Sequence, residues 1–186
     1  MIKIQNLTKT MSHRLLFENL SFAIEKTGLY AITGPSGIGK TTLLRIIMGL
    51  ESADSGTITG TENLRFSPVF PEDRLIPTKT ALENAAFAKD DKQKAASLLE
   101  RLGLSENLHK YPDELSTGMK RRVSLARALV YEGDILILDE PFSGLDEKNK
   151  ENMLDILFEY SKKLPVLLVS HDTSLLQKSG IFHIAL

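Results

Sequence analysis

Residues 34–41 read G-P-S-G-I-G-K-T, a complete G-x-x-x-x-G-K-[ST] pattern. Glycines at these spacings let the backbone curl until several N–H groups face one anion, and a helix opening at the loop adds its dipole to the same field. Gly34, Pro35, Ser36, Gly37, Ile38, Gly39 and Thr42 would surround the phosphates. Lys40 would reach the β- and γ-phosphates, and the Thr41 hydroxyl would ligate Mg²⁺. The competing reading is a glycine-rich turn that binds nothing. The Lys-Thr pair, with an apolar run before it and a helical stretch after it, argues against that reading and for a nucleoside triphosphate site.

A second cluster of chemistry follows the apolar run Ile135 to Leu138, which leads directly into Asp139 and Glu140. In open α/β sheets, ligands sit beyond the carboxyl ends of the strands, so these acids are expected at the phosphate site. Asp139 suits a metal-side carboxylate, and Glu140 suits a general base that orients or deprotonates an attacking water. Two acids in this position can also cap a helix or simply be solvated; a phosphate loop in the same chain favours the chemical reading.

The elements that must position these groups form a regular pattern. Short aliphatic runs at 29–33, 135–138 and 166–169 read as parallel strands buried on both faces. Helical stretches at 41–50, 119–130 and 148–162 separate them, which predicts an α/β P-loop core sheet with flanking helices. Residues 2–24 alternate and predict an N-terminal antiparallel β subdomain. Residues 80–108 carry apolar side chains at helical spacings only, predicting a small helical subdomain inserted at about 72–115 of a single 1–186 domain. Of the 186 residues, 42% are apolar and 25% charged, with a formal net charge of -1, which gives no support for nucleic-acid binding. There is no cysteine, so disulfides and thiolate metal sites are excluded. No apolar run approaches the roughly 20 residues of a membrane span, and the first residues lack a secretory apolar core. A cytosolic location is expected, with any membrane pore supplied by another chain.

Further motifs carry a resemblance to a family. Leu115-Ser116-Thr117-Gly118-Met119, followed by Lys120-Arg121-Arg122, resembles the signature of ATP-binding-cassette (ABC) ATPases, usually LSGGQ followed by basic residues. Pro141-Phe142-Ser143-Gly144-Leu145-Asp146 resembles the family's D-loop, and Ser170-His171-Asp172 its switch histidine. Order and spacing match over nearly the whole chain. In detail the chain is similar to the compact ATPase subunits of nitrate, sulfonate and taurine-type importers. The resemblance implies a Mg²⁺-dependent ATPase using ATP and Mg²⁺, working as the motor of an ABC permease and peripheral to the inner face of the cell membrane. It implies a head-to-tail homodimer around two ATP, with Ser116 and Gly118 of one copy on the γ-phosphate bound by the other. Asp146 would couple the two sites, and His171 would position the water held by Glu140. The chain stops soon after His171, so no regulatory domain is expected to follow it.

Three positions depart from the family pattern. Where a Gln commonly follows an apolar-aromatic pair, Val69-Phe70 is followed by Pro71 and then Glu72. Proline offers no side-chain donor or acceptor, so contact with nucleotide and signalling to the permease are lost or pass to Glu72. Thr117 replaces a signature glycine. The aromatic residue that stacks on adenine would fall near Met11; Met11 or His13 would cover the ring instead, with less stacking energy. Alternatives are an exporter motor and a binding-only cassette. A chromosome- or repair-type ABC ATPase is disfavoured, since no sustained heptads lie between Lys40 and Ser116. Lys120, Arg121 and Arg122 read as a solvated helix face.

Overall fold

The computed structural model describes residues 1–171 and 179–186; Asp172 of the switch motif lies outside them. In chain order the strands are β1 (Ile2–Met11), β2 (Arg14–Ile24), β3 (Gly28–Thr33), β4 (Ser55–Thr59), β5 (Phe66–Val69), β6 (Ile135–Asp139), β7 (Pro165–Val169) and β8 (Ile181–Ala185). The helices are α1 (Lys40–Ile47), α2 (Ala81–Ala86), α3 (Lys92–Arg101), α4 (Thr117–Tyr131) and α5 (Glu147–Ser161), with 3₁₀ turns at Ser105–Asn107 and Pro112–Glu114.

Five strands form a parallel sheet in the order β5-β6-β7-β3-β8. The near-continuous apolar sequences of β3, β6 and β7 follow from burial on both faces, because side chains alternate with a period of two. Leu29, Ala31, Leu136, Leu138, Val166 and Leu168 enter one core, shared with α2 to α5. Tyr30, Ile32, Ile135, Ile137, Leu167 and Val169 enter another, shared with α1 and the N-terminal strands. Each fully buried leucine or isoleucine contributes about 1.5–3 kcal/mol. The two-sided core therefore holds the sheet rigidly beneath the loops at its carboxyl end.

β1 and β2 form the expected antiparallel hairpin, and β4 pairs with the other edge of β1. The hairpin closes through Ser12 and His13, whose φ angles are both positive, 50° and 63°. That is the turn geometry which matches the right-handed twist of the strands. β4, β5 and β8 are strands that the sequence did not announce. β5 includes Pro68, tolerable there because β5 is an edge strand paired on one side only, with β6.

The reading of Lys120, Arg121 and Arg122 as a solvated face is corrected for two of them: Arg121 and Arg122 are buried. Arg121 donates to the carbonyls of Phe70 and Pro71 and sits 3.4 Å from the Asp73 carboxylate. Arg122 donates to the carbonyls of Leu102 (2.7 Å) and Gly118 and to Asn149 Oδ1 (2.9 Å). Ser124 and Arg127 add bonds to the carbonyls of Asp73 and Arg74. Arg121 and Arg127 on α4 thus satisfy carbonyls of the loop after β5 that are partly withdrawn from water.

Candidate nucleotide site

The loop between β3 and α1 is shaped by glycines where no other residue fits. Gly39 is the residue before α1 and takes φ 108°, and a Cβ on it would stand 2.9 Å from Cβ of Leu16. Lys40, buried at the start of α1, turns its ammonium back into the loop and donates to the carbonyls of Gly34 (2.7 Å) and Pro35 (3.0 Å). Its charge is therefore already held where the loop curls. Ile38 closes the turn through a backbone bond to the Pro35 carbonyl.

Ser36, Gly37, Gly39, Lys40, Thr41 and Thr42 line a cleft of about 350 Å³ together with Met11, Leu16, Glu140 and Val169. The two sequence clusters therefore open into one space. This happens because β3 and β6 are parallel and present their carboxyl ends on the same edge of the sheet. A cleft of about 380 Å³ lined by Lys94, Glu132, Tyr160 and Lys163 contains none of these groups.

Asp139 is the last residue of β6 and is buried. Burial pushes its carboxyl above the ordinary range; a hydrogen bond with the Thr41 side chain acts in the opposite direction, and the Glu140 charge raises it further. Among the described residues its Oδ1 has no hydrogen-bond partner. A buried carboxylate oxygen left over beside a threonine hydroxyl is the oxygen donor set that a divalent cation such as Mg²⁺ prefers, so the residues present fit that ion.

Glu140 takes φ 49°, a left-handed conformation that costs a non-glycine residue about 1–2 kcal/mol. The turn is held by a bond from Glu140 N to the Val169 carbonyl (3.0 Å). It swings the side chain out of the strand into the cleft. Nδ1 of His171 lies 2.9 Å from Oε2 of Glu140, so the two residues already form a pair. His171 follows β7, the strand beside β6, which is why residues so far apart in sequence meet here.

The remaining candidates stand elsewhere. Ser116 accepts from the Met119 N–H (3.3 Å) as the N-cap of α4. Gly118 packs so closely on the D-loop that a Cβ would meet the Gly144 carbonyl at 2.5 Å. Asp146 caps α5 through Asn149 N (2.8 Å) and Asn149 Nδ2 (2.8 Å), which hold its carboxyl below the ordinary range. None of these three lines the cleft of its own copy. Glu72 is paired with Arg74 at 3.3 Å and does not line it either. The roles of Arg121 and Arg122 were missed because their main partners, the carbonyls of Phe70, Pro71 and Leu102 and the side chain of Asn149, lie far away in the sequence.

Comparisons with known proteins agree with this geometry. The family model described as ABC transporter matches residues 17–143. Aliphatic sulfonates import ATP-binding protein SsuB 1 of Rhodococcus jostii is 38% identical over 84% of this chain and 67% of its own length. Lipoprotein-releasing system ATP-binding protein LolD of Treponema denticola is 35% identical over 97% of this chain and 92% of its own. The dimeric bacterial ABC transporter cassette MJ0796 superposes with a TM-score of 0.82 at 28% identity, covering 100% of this chain and 94% of that one. A phosphate loop, an acidic strand end and a signature helix in this arrangement, together with these matches, mean that the chain belongs to the ABC transporter family as one of its ATP-binding, ATP-hydrolysing subunits.

Proposed function

We propose that this chain drives an importer: two copies close head to tail around two ATP and move a separate membrane permease. The observation that carries the dimer is the division of the site. Lys40, Thr41, Asp139, Glu140 and His171 gather at one cleft, whereas Ser116 and Gly118 sit on a different surface of the same copy. A complete γ-phosphate shell therefore requires a second copy, and the dimeric form of MJ0796 supports that reading. Its symmetry makes both sites equivalent.

Within each site Lys40 and the backbone of residues 34–39 hold the phosphates, and Thr42 lines the same wall. Thr41 and Asp139 would hold Mg²⁺, which when bound neutralises charge developing on the phosphates. Glu140 accepts the proton of the attacking water. His171 fixes the orientation of the Glu140 carboxylate and reaches toward the γ-phosphate. Positioning and charge stabilisation account for the acceleration. Asp146, at the start of α5, stands where the D-loop would couple the two sites.

The importer direction is supported by relatives named as import proteins for aliphatic sulfonates and for spermidine and putrescine. The match to LolD, named as part of a lipoprotein-releasing system, supports a second reading, an exporter motor. No described helix is long and apolar enough to cross a membrane, so attachment to the inner face would run through the permease. The helical segment 72–115 is proposed as the subdomain that meets it. Purification of the complex from membranes, followed by transport into or out of proteoliposomes, separates the two directions.

Pro71 bears on that coupling. Its carbonyl is held by Arg121, and its ring offers nothing to the nucleotide. Pro71→Gln is expected to change stimulation of ATPase by the permease severalfold while basal turnover shifts by less than about twofold, measured with and without the purified partner. Equal effects on both rates would remove the special role of this position.

A further inference from the structure

The phosphate loop accounts for one end of ATP, but the cleft carries no aromatic side chain for the base. Met11 and Leu16 are its apolar lining from the hairpin. Met11 and Arg14 are directly paired across the hairpin, with only Ser12 and His13 between them. Residues paired in this way project from the same face of a ribbon. Arg14 therefore shares the face of Met11, and its guanidinium does reach the loop: Nη1 lies 3.5 Å from where a Cβ of Gly37 would stand. Gly37 and Met11 line the same cleft. Arg14 is exposed, and among the described residues it forms no ion pair.

We infer that Arg14 is the base-binding residue of this chain: its planar guanidinium covers one face of the purine of ATP, with Met11 and Leu16 beside it. An arginine can do this because the group is flat, permanently charged and weakly hydrated, so it stacks on π-systems where an ammonium remains a hydrated point charge. The rigid turn contributes as well. With both turn residues at positive φ, the register that sets Arg14 opposite Met11 is fixed before nucleotide arrives. Purines share a π-face, so the contact favours nucleotides over bare phosphates while discriminating little between adenine and guanine.

This inference rests on the nucleotide reading of the cleft, and its test keeps the two apart. Binding of ADP and of inorganic tripolyphosphate is measured by calorimetry on the whole chain. Tripolyphosphate probes the loop alone, and ADP probes loop and base. Arg14→Ala is expected to weaken ADP, and GDP in parallel, by about tenfold, with tripolyphosphate unchanged. Arg14→Tyr, which keeps a flat face without charge, should restore most of the ADP affinity; Arg14→Lys, which keeps the charge without the plane, should not. Restoration by lysine rather than tyrosine, or equal losses for ADP and tripolyphosphate, would show that Arg14 serves a phosphate and overturn the inference. Unchanged ADP binding in Arg14→Ala would overturn it too. A wild-type chain that binds neither probe would instead overturn the nucleotide site itself.

Discussion

Glu140→Gln lowers ATP hydrolysis by about 10²-fold or more while ATP continues to bind. Glutamine keeps the size of the side chain and can still accept the hydrogen bond from His171, which stands 2.9 Å away in the wild type. What it loses is the negative charge and the ability to take a proton from water. Lys40, Thr41 and Asp139 are untouched, so the phosphates remain held. Because ATP then persists, its γ-phosphate can keep bridging the loop of one copy and Ser116 and Gly118 of the other. Size-exclusion chromatography with light scattering should show this variant as a dimer with ATP and a monomer with ADP. Hydrolysis at the wild-type rate would remove Glu140 as the base. ATP binding without dimerisation, even at high protein concentration, would mean that closure needs the permease or that Thr117 has spoiled the signature.

Lys40→Ala is expected to weaken ATP binding by about 10²-fold or more, because charge-assisted bonds to phosphate are the strongest the loop can make. The structure sharpens this expectation. The Lys40 ammonium is already seated on the carbonyls of Gly34 and Pro35, so the loop is organised around it. Alanine removes the cation and leaves carbonyl oxygens facing the anion. Calorimetry with ATP reads the loss directly, and an unchanged cooperative unfolding transition would show that the fold survives. Tight ATP binding by this variant would count decisively against the loop as the phosphate site.

The parts of the fold legible in the sequence were those whose signal is local. β3, β6 and β7 are unbroken aliphatic runs because both faces of the sheet are covered, and that requirement is visible in each strand by itself. The phosphate loop is legible for a similar reason: a backbone that must curl around an anion needs glycines at stated positions. β4, β5 and β8 were not legible. β4 is polar and largely exposed, β5 contains Pro68, and β8 pairs only with β3 among the described strands. Their strand character comes from the neighbour that each one pairs with.

The residues themselves determined that a triphosphate could be bound, that two carboxylates ended a strand, and that a signature serine headed a helix. All of these are consequences of residue types within one short segment. Only the tertiary structure decided what those groups meet. The strand order puts His171 against Glu140 and Asp139 against Thr41, although β6 and β3 are not even adjacent in the sheet. The loop at Phe70 and Pro71 turns Arg121 from a surface cation into a buried donor. A two-residue turn without glycine sets Arg14 beside Met11 above the loop. Charged side chains are long and their partners are distant in the chain, so their burial follows from which backbone carbonyls and carboxylates the packed core leaves within reach.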